Sequence, residues 1–192
     1  MGDTPAIFEG ISLEKWEEFI QLEEMEEDED ALAVALTPHV LQIITFYLGT
    51  ELYGIDILKV KELINYAPCT IIPNMPHFIK GMVNLRGLVI PVMDLRLRFG
   101  VGEATYHRYT VIMVVQVEGR LSGLIVDAVA DVLAVPHETV QPPPDHLSPL
   151  DISFIAGVVK VRGNMVILLN PERLLAKEVL LMSSPLAEEE TP

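Results

Sequence analysis

Cysteine is almost absent from this sequence, and so are long apolar runs. The single cysteine among the 192 residues, Cys69, excludes an internal disulfide and a metal site built from several cysteines, and it favours a reducing, cytosolic location. No run approaches the roughly 18 apolar residues that a membrane-spanning helix needs. The first ten residues lack a basic region followed by an apolar one, so no secretory signal is expected. We therefore expect a cytoplasmic protein without direct membrane insertion.

Basic residues are scarce, since 13 Lys and Arg face 28 Asp and Glu and give a net charge of −15. The imbalance is confined to the ends of the chain. Residues 1–38 hold twelve acids and one lysine, a net charge of −11, and residues 179–192 add three glutamates. The segment 39–178 keeps a net charge of only −1. Because no basic stripe is present, nucleic acid and anionic membrane surfaces are poor candidate partners.

Groups of residues typical of catalysis or cofactor binding are also missing. The sequence contains no GxSxG motif, no Gly-rich phosphate loop and no HExxH motif. Cys69 has no obvious basic neighbour, so a small apolar role is favoured over that of a nucleophile. We expect no enzymatic activity, no cofactor and no metal. The histidines lack the spacing of metal ligands on a helix; they are His39, His77, His107, His137 and His146.

The sequence is rich instead in β-branched and apolar residues. Half of the residues are hydrophobic, and the mean hydropathy of +0.36 is ample for a real core. Short Val- and Ile-rich runs that end in turn signals predict strands; only 58–65 is ambiguous, and there we favour a strand with a bend. The predicted strands are 40–49, 51–57, 58–65, 69–73, 77–87, 88–95, 109–117, 121–135, 139–141, 154–161 and 165–170.

A few short helices accompany these strands. Asp94 is expected to cap a helix that Gly100 closes, and Asn170 to cap a C-terminal helix. Residues 10–27 have apolar side chains at helical spacing within an acidic segment. Two interpretations stay open for them: a solvated tail, or a helix that docks on a partner or on the protein's own core.

The chain contains an internal repeat. Residues 52–73 match residues 121–142, and residues 78–94 match residues 154–170 through Phe-Ile-x-Gly-x-Val, Arg-Gly and the capping residue. One insertion of seven residues reconciles the two offsets, 69 and 76. Short strands without crossover helices then predict two similar five-stranded barrels of about 60–70 residues each, with a seam where partners bind.

Arg86 is the most unusual residue of the repeat, because it stands between Leu85 and Gly87 inside an apolar strand pair. If it is even partly buried, it needs a carboxylate partner, and Glu62 is favoured over Asp56. The alternative is an exposed arginine in a turn, since Arg-Gly is also turn chemistry. In the second copy Asp131 takes the place of Glu62 opposite Arg162, whose Arg-Gly-Asn sequence resembles an open hairpin tip.

Several segments together resemble the CheW family, the coupling proteins of bacterial chemotaxis. They are FYLGTELYGIDILKVKELI, IPNMPHFIKGMVNLRGLVIPVMDLRLRFG, LIVDAVADVL and FIAGVVKVRGNMVILLNPERLL. The resemblance covers about 39–178 and implies a mainly β fold of two tandem SH3-like five-stranded barrels, with short helices and a C-terminal helix. It implies barrel halves of roughly 40–108 and 109–178, with exchange of strands between them left open. An acidic extension (1–38) precedes these halves, and a tail (179–192) follows them.

The resemblance also implies a function without catalysis. CheW-like domains join the cytoplasmic tips of chemoreceptors to the histidine kinase CheA, at the inner face of the membrane, and other CheW-like domains are further candidate partners. A scaffold in a related pathway, such as type IV pilus motility or developmental control, is the alternative. By motif, receptor coupling falls on Val60, Glu62, Gly81, Arg86, Thr110 and Val111, and kinase contact by a β-edge falls on Thr70, Ile71 and Ile72.

Overall fold

A computed structural model describes residues 40–103, 105–143 and 152–175 of the chain. Its strands are β1 (Val40–Leu48), β2 (Glu51–Asp56), β3 (Val60–Asn65), β4 (Ile79–Leu85), β5 (Leu88–Asp94), β6 (Val111–Val117), β7 (Arg120–Val126), β8 (Ala128–Pro136), β9 (Ile155–Val161) and β10 (Asn164–Leu169). Two short helices, α1 (Leu95–Phe99) and α2 (Pro171–Leu174), follow β5 and β10. The helix predicted for 10–27 and both acidic flanks lie outside the described residues.

The strands form two five-stranded sheets, as the mainly β prediction requires. Sheet I has the order β3-β6-β7-β5-β4, and sheet II has the order β8-β1-β2-β10-β9. Each sheet combines strands from both 40–108 and 109–178, because the β1–β2 hairpin joins sheet II and the β6–β7 hairpin joins sheet I. Four pairings join the two halves: β2 with β10 and β5 with β7 are parallel, and β1 with β8 and β3 with β6 are antiparallel.

The two sheets share one large hydrophobic core. Buried residues of both sheets contribute to it, among them Phe46 and Tyr53 from sheet II and Met113 and Leu124 from sheet I. A smaller apolar cluster belongs to each sheet alone. Burial of this apolar area stabilises the fold by roughly 25 cal/mol per Å², so the shared core also holds the two sheets together.

The seam between the sheets contains an arginine between two aromatic rings. Arg98 of α1 places its guanidinium carbon 4.3 Å from the ring centroid of Phe78 and 4.7 Å from that of Phe154. These phenylalanines occupy the same position in the two copies of the repeat. Cation–π contacts stabilise a partly desolvated cation over an aromatic face. Through these contacts, Arg98 links α1 to the equivalent phenylalanines of the two copies.

Both predicted helix caps are present. The Asp94 carboxylate accepts the Arg96 N–H at 2.9 Å, and Gly100 ends α1 with a φ of +67°. The Asn170 side chain accepts the Arg173 N–H at 3.0 Å at the start of α2. The caps satisfy backbone N–H groups that a helix leaves unpaired at its first turn. Neither described helix is long and apolar enough to cross a membrane.

Three predicted strands are wrong in their extent. The run 139–141 makes no strand, because Thr139 ends a 3₁₀ turn (His137–Thr139) and Gln141 forms only an isolated bridge with Val158. The run 69–73 makes no strand; it forms a single bridge between Thr70 and Met82, because prolines at 68 and 73 confine it. The run 121–135 is two strands, since Asp127 separates β7 from β8. At 58–65 the chain makes one 3₁₀ turn, Ile57–Lys59, before β3, and the pairing of β3 is irregular between Val60 and Glu62.

Candidate partner-binding surface

The β4–β5 hairpin presents Arg86 at its tip. Arg86 and Gly87 form the two-residue turn with φ values of +50° and +94°. Positive φ at both central residues is the geometry that matches the twist of a tight hairpin. The Asn84 side chain accepts the Gly87 N–H at 2.7 Å and fixes the turn from within. The arginine is therefore held in a defined direction although it lies in a turn.

Arg86 forms an ion pair with Glu62, the partner that the sequence favoured. The Nη2 atom of Arg86 lies 3.0 Å from Oε2 of Glu62. The alternative partner, Asp56, instead accepts the Leu58 N–H at 2.9 Å and caps the 3₁₀ turn before β3. Since β3 and β4 are the two edges of sheet I, the pair joins the edges of that sheet.

The Glu62–Arg86 pair lies at the surface. The Arg86 side chain is 83% exposed, and the Glu62 side chain is 22% exposed. Of the two alternatives that the sequence left open, the structure shows the exposed arginine in a turn, and this arginine is nevertheless paired with Glu62. Exposed ion pairs contribute about 0–1 kcal/mol to stability, so the fold has little need of this pair. The pair instead holds one positive and one negative charge in a fixed arrangement at the hairpin tip.

Exposed apolar side chains adjoin this charge. Leu88 and Val89 follow the turn directly, and more than half of each side chain is open to solvent. Apolar anchors beside a charged group are typical of protein–protein interfaces, where the apolar side chains give affinity and the charge gives orientation. The tip of the β4–β5 hairpin has this composition. Together, Glu62, Arg86, Leu88 and Val89 are called the sheet I tip below.

The repeat places a second ion pair in sheet II. The Nη1 atom of Arg162 lies 3.6 Å from Oδ2 of Asp131, and their side chains are 79% and 49% exposed. Arg162 also has a positive φ, +49°, at the tip of the β9–β10 hairpin. This pair is longer and more open than the Glu62–Arg86 pair. The prediction that Asp131 stands opposite Arg162 is confirmed.

Three residues implied in receptor coupling lie in the interior. Val60 and Val111 are part of the shared core, and Thr110 is buried with its hydroxyl accepting the His107 N–H at 3.0 Å. The register puts Val111 opposite Asn65, and Val60 opposite Val115. Val111 is therefore roughly 13 Å along β6 from the level of Val60. The structure brings Glu62 and Arg86 together at the surface, but not Thr110 and Val111 with them.

Gly81 controls the path of the segment implied in kinase contact. Its φ is +138°, and a Cβ atom there would lie 2.1 Å from the Thr70 carbonyl oxygen. Two backbone hydrogen bonds of 2.9 Å join Thr70 to Met82 across this contact. Ile71 then projects into solvent with 81% of its surface exposed, while Ile72 is partly buried. Gly81 therefore acts by letting residues 70–72 pass close to β4.

A buried ion pair was missed by sequence reasoning. The Nε atom of Arg96 donates to Oδ1 of Asp127 at 2.6 Å, and its Nη2 atom donates to Oδ2. The Gly49 N–H donates to the same carboxylate at 2.6 Å. The hydrogen bonds that Arg96 donates to the Asp127 carboxylate raise the pKa of Arg96. The only signal in the sequence was an acid, Asp127, inside the apolar run LIVDAV.

The described residues hold no cluster of metal-ligating side chains. Within 40–103, 105–143 and 152–175, no group of three His, Cys, Asp or Glu side chains is placed to hold a metal ion. Burial raises the pKa of the Cys69 thiol, which keeps it protonated and weakly nucleophilic at neutral pH.

Comparison with known proteins agrees with this description. The model of the CheW-like domain matches residues 42–179. The chain is 38% identical to the chemotaxis protein CheW of Klebsiella aerogenes over 147 residues, which cover 77% of this chain and 89% of that protein. It is 36% identical to the chemotaxis protein CheW of Rhizobium meliloti, over 71% of this chain and 88% of that protein. It is also 30% identical to protein FrzA of Myxococcus xanthus, over 76% and 91%.

A solved structure is similar as well. The scaffolding protein TtCheW from Thermoanaerobacter tengcongensis superposes with a TM-score of 0.67 at 38% identity. The match covers 73% of this chain and 90% of that one. The family model spans both sheets except the first two residues of β1. This chain belongs to the CheW-like family.

Proposed function

We propose that this chain is a non-enzymatic adaptor that couples the cytoplasmic tip of a chemoreceptor to a CheA-type histidine kinase. Its relatives carry the name of the chemotaxis protein CheW, and one solved relative is described as a scaffolding protein. The observation that carries the proposal is the sheet I tip. It has a charge pair that the fold does not need and apolar side chains that it does not bury.

The receptor would dock on the sheet I tip. Glu62 and Arg86 would fix its register, and Leu88 and Val89 would supply apolar contact area. The buried residues Val60, Gly81, Thr110 and Val111 would act indirectly, by shaping the two strands and the segment that carry the tip. The residues that the resemblance implies in receptor coupling include both charged and buried ones. Direct contact by the charged residues and support by the buried ones account for both kinds.

The kinase would dock on the segment of Thr70, Ile71 and Ile72. The single bridge between Thr70 and Met82 leaves the rest of this segment outside the sheet, and Ile71 is exposed. An extended segment with free backbone groups pairs readily with the edge of another sheet, while a projecting side chain gives specificity. The adaptor would then act at the inner face of the membrane through its receptor complexes.

The receptor site is tested by Arg86→Ala and Glu62→Lys in the full chain. Binding to vesicles that carry the receptor's cytoplasmic tip should weaken by about tenfold or more, because the docking charge is lost. Stability in urea should change by less than about 1 kcal/mol, because the pair is exposed. Arg162→Ala is the matched control and should leave receptor binding unchanged. Unchanged receptor binding by both sheet I variants would refute the assignment.

The kinase site is tested separately. Ile71→Asp puts a charge on an exposed side chain, so the fold should be unaffected, while affinity for the kinase regulatory domain should fall by about tenfold. Receptor binding by this variant should remain normal. A variant that loses both partners together would show that residues 70–72 support the sheet I tip instead of touching the kinase.

A further inference from the structure

One end of sheet II, next to the start of α2, holds a cavity that the proposed receptor and kinase sites leave unused. Its volume is about 190 Å³. Lys59 and Glu172, which form an ion pair, belong to its lining. This cavity is called the sheet II mouth. Three apolar side chains of its lining pack in the small cluster of sheet II, and two small residues lie beside them: Leu41, Ile43 and Leu168, with Gly54 and Ala156.

The equivalent place in sheet I is filled by Tyr106. This side chain packs against the small apolar cluster of sheet I. Its hydroxyl donates to Oδ2 of Asp94 at 2.7 Å, and its ring stacks on Tyr66 with the centroids 4.2 Å apart. The Nζ atom of Lys80 lies 5.5 Å from the centroid of the Tyr106 ring. Tyr106 belongs to the connector between α1 and β6, so a segment outside the strands covers this end of sheet I.

The repeat shows that the two places correspond. Asn170 of the mouth is the counterpart of Asp94, and Ala156 is the counterpart of Lys80. The parallel strand pairings agree, since their matching register pairs are Gly54–Leu168 in sheet II and Gly123–Val92 in sheet I. The counterpart of the connector that carries Tyr106 precedes β1 and lies outside the described residues. The described part of sheet II thus leaves open a place that a side chain fills in sheet I.

The segment just before β1 has a composition that suits this place. The offset of 69 makes Leu41 the counterpart of Thr110 and puts residue 37 at the position of Tyr106. The acids of the N-terminal extension all lie within residues 1–30, and residues 31–37, Ala-Leu-Ala-Val-Ala-Leu-Thr, carry no charge. Leu36 is the large apolar residue of this segment that lies nearest to β1 in the sequence.

We propose that residues 31–37 fold back onto the sheet II mouth and that the Leu36 side chain fills it, as Tyr106 fills the equivalent place in sheet I. Benzene fills a protein cavity of about 150 Å³, so the mouth has room for a leucine side chain. Leu36 is five positions from Leu41, which lines the mouth, and five residues can span up to about 17 Å. The acidic residues 1–30 would then leave the fold beside Lys59.

The C-terminal segment is the competing occupant. It is apolar from Val179 to Met182, and the offset of 76 puts Met182 at the position of Tyr106. Met182 is, however, ten positions beyond Glu172, the last residue that lines the mouth. The connection from Leu36 to Leu41 is half as long, and a shorter loop costs less chain entropy to close. A second copy of the chain is disfavoured as occupant by its net charge of −15.

NMR of the full chain with labelled methyl and amide groups tests the proposal. Nuclear Overhauser contacts should join the Leu36 methyl groups to the Ala156 methyl group. Leu36→Ala should shift the amide signals of residues that line the mouth, and we would follow those of Gly54, Ala156 and Asn170. Val34→Ala is the matched control in the same segment and should leave these three signals unchanged.

Filling the mouth from outside gives a second test. Ala156 is exposed, so Ala156→Phe should occupy the mouth without disturbing the core, and the contacts of the Leu36 methyl groups with the fold should disappear. Ala130→Phe, at the separate cavity beside Asp131, should preserve them.

Two results would overturn the proposal. One is a deletion of residues 1–37 that leaves the amide signals of the mouth unchanged. The other is contact of the Met182 methyl group with Ala156, which would identify the C-terminal segment as the occupant. None of these measurements involves the receptor or the kinase, so their outcome is independent of the adaptor proposal.

Discussion

Removing the Asp127 carboxylate should destabilise the fold far more than removing any exposed acid. Asp127 accepts two hydrogen bonds from Arg96 and one from the Gly49 N–H. Its side chain is only 7% exposed, and that of Arg96 only 20%. Asp127→Ala leaves a largely buried guanidinium without its hydrogen-bonded carboxylate, with only the nearby Asp94 to offset its charge, which costs about 3 kcal/mol. A typical domain is stable by about 5–15 kcal/mol in total.

The matched control is Asp131→Ala. Its carboxylate is half exposed and lies 3.6 Å from Arg162, so its loss should cost about 1 kcal/mol or less. The double variant Arg96→Met with Asp127→Leu should recover much of the loss, because apolar replacement of both partners leaves no buried charge unpaired. The recovery would show that the cost of Asp127→Ala comes from the charge left behind.

Urea unfolding followed by far-ultraviolet circular dichroism measures these differences on the β core. Circular dichroism is preferred to fluorescence of the single tryptophan, because Trp16 precedes the β strands in the sequence. If Asp127→Ala costs no more than Asp131→Ala, the reasoning about the buried pair is refuted. Equal costs for Asp127→Ala and for the double variant would likewise exclude an unpaired charge as the cause.

Two further perturbations follow from the contacts. Gly81→Ala should destabilise the chain by about 2–4 kcal/mol, or displace Thr70 as detected by amide exchange, because the added Cβ meets a backbone oxygen. Gly87→Ala is the control: its φ is also positive, but the Cβ enters open space, so it should cost about 1 kcal/mol. Lys59 and Glu172 are 2.5 Å apart, and their hydrogen bond raises the pKa of Lys59 and, against the effect of burial, lowers that of Glu172. This half-exposed pair should therefore add less than about 1 kcal/mol to the free energy of unfolding measured in urea. The contribution should be present between about pH 4.5 and 10.5 and lost outside that window. A Lys59→Met variant whose stability has the same pH profile as the unchanged chain would contradict this.

The features that sequence could predict are local or repeated. The caps at Asp94 and Asn170 depend on residues within three positions, and the structure has both. The two ion pairs could be anticipated because the repeat places an acid and an Arg-Gly turn at matching positions in each copy. Agreement between the two copies of the repeat supported these predictions, because a cap, a turn and a charge pair do not recur together by chance.

The features that sequence could not predict depend on pairing between distant strands. The exchange of the β1–β2 and β6–β7 hairpins changes no local pattern, because each strand keeps the same apolar faces in either sheet. The Arg96–Asp127 pair joins residues 31 positions apart across the junction of α1 with β7 and β8. Such contacts become visible only when the order of the strands is known.

The sequence also could not predict that several residues implied in receptor coupling are buried. Strands β3 and β6 have apolar residues on both faces, one toward the shared core and one toward the small cluster of sheet I. Alternation therefore does not distinguish an exposed valine from a buried one. Val60 and Val111 lie in the shared core, while the exposed apolar residues Leu88 and Val89 were expected to be ordinary strand positions.

Co-sedimentation of a CheA-type kinase with receptor-bearing vesicles tests the adaptor proposal most directly. With the full chain present, the kinase should sediment with the receptor; without the chain, much less of it should. Arg86→Ala should release both the chain and the kinase from the vesicles, whereas Ile71→Asp should leave the chain bound and release only the kinase. Kinase sedimentation that does not depend on the chain, or a chain that binds only one of the two partners, would contradict the account.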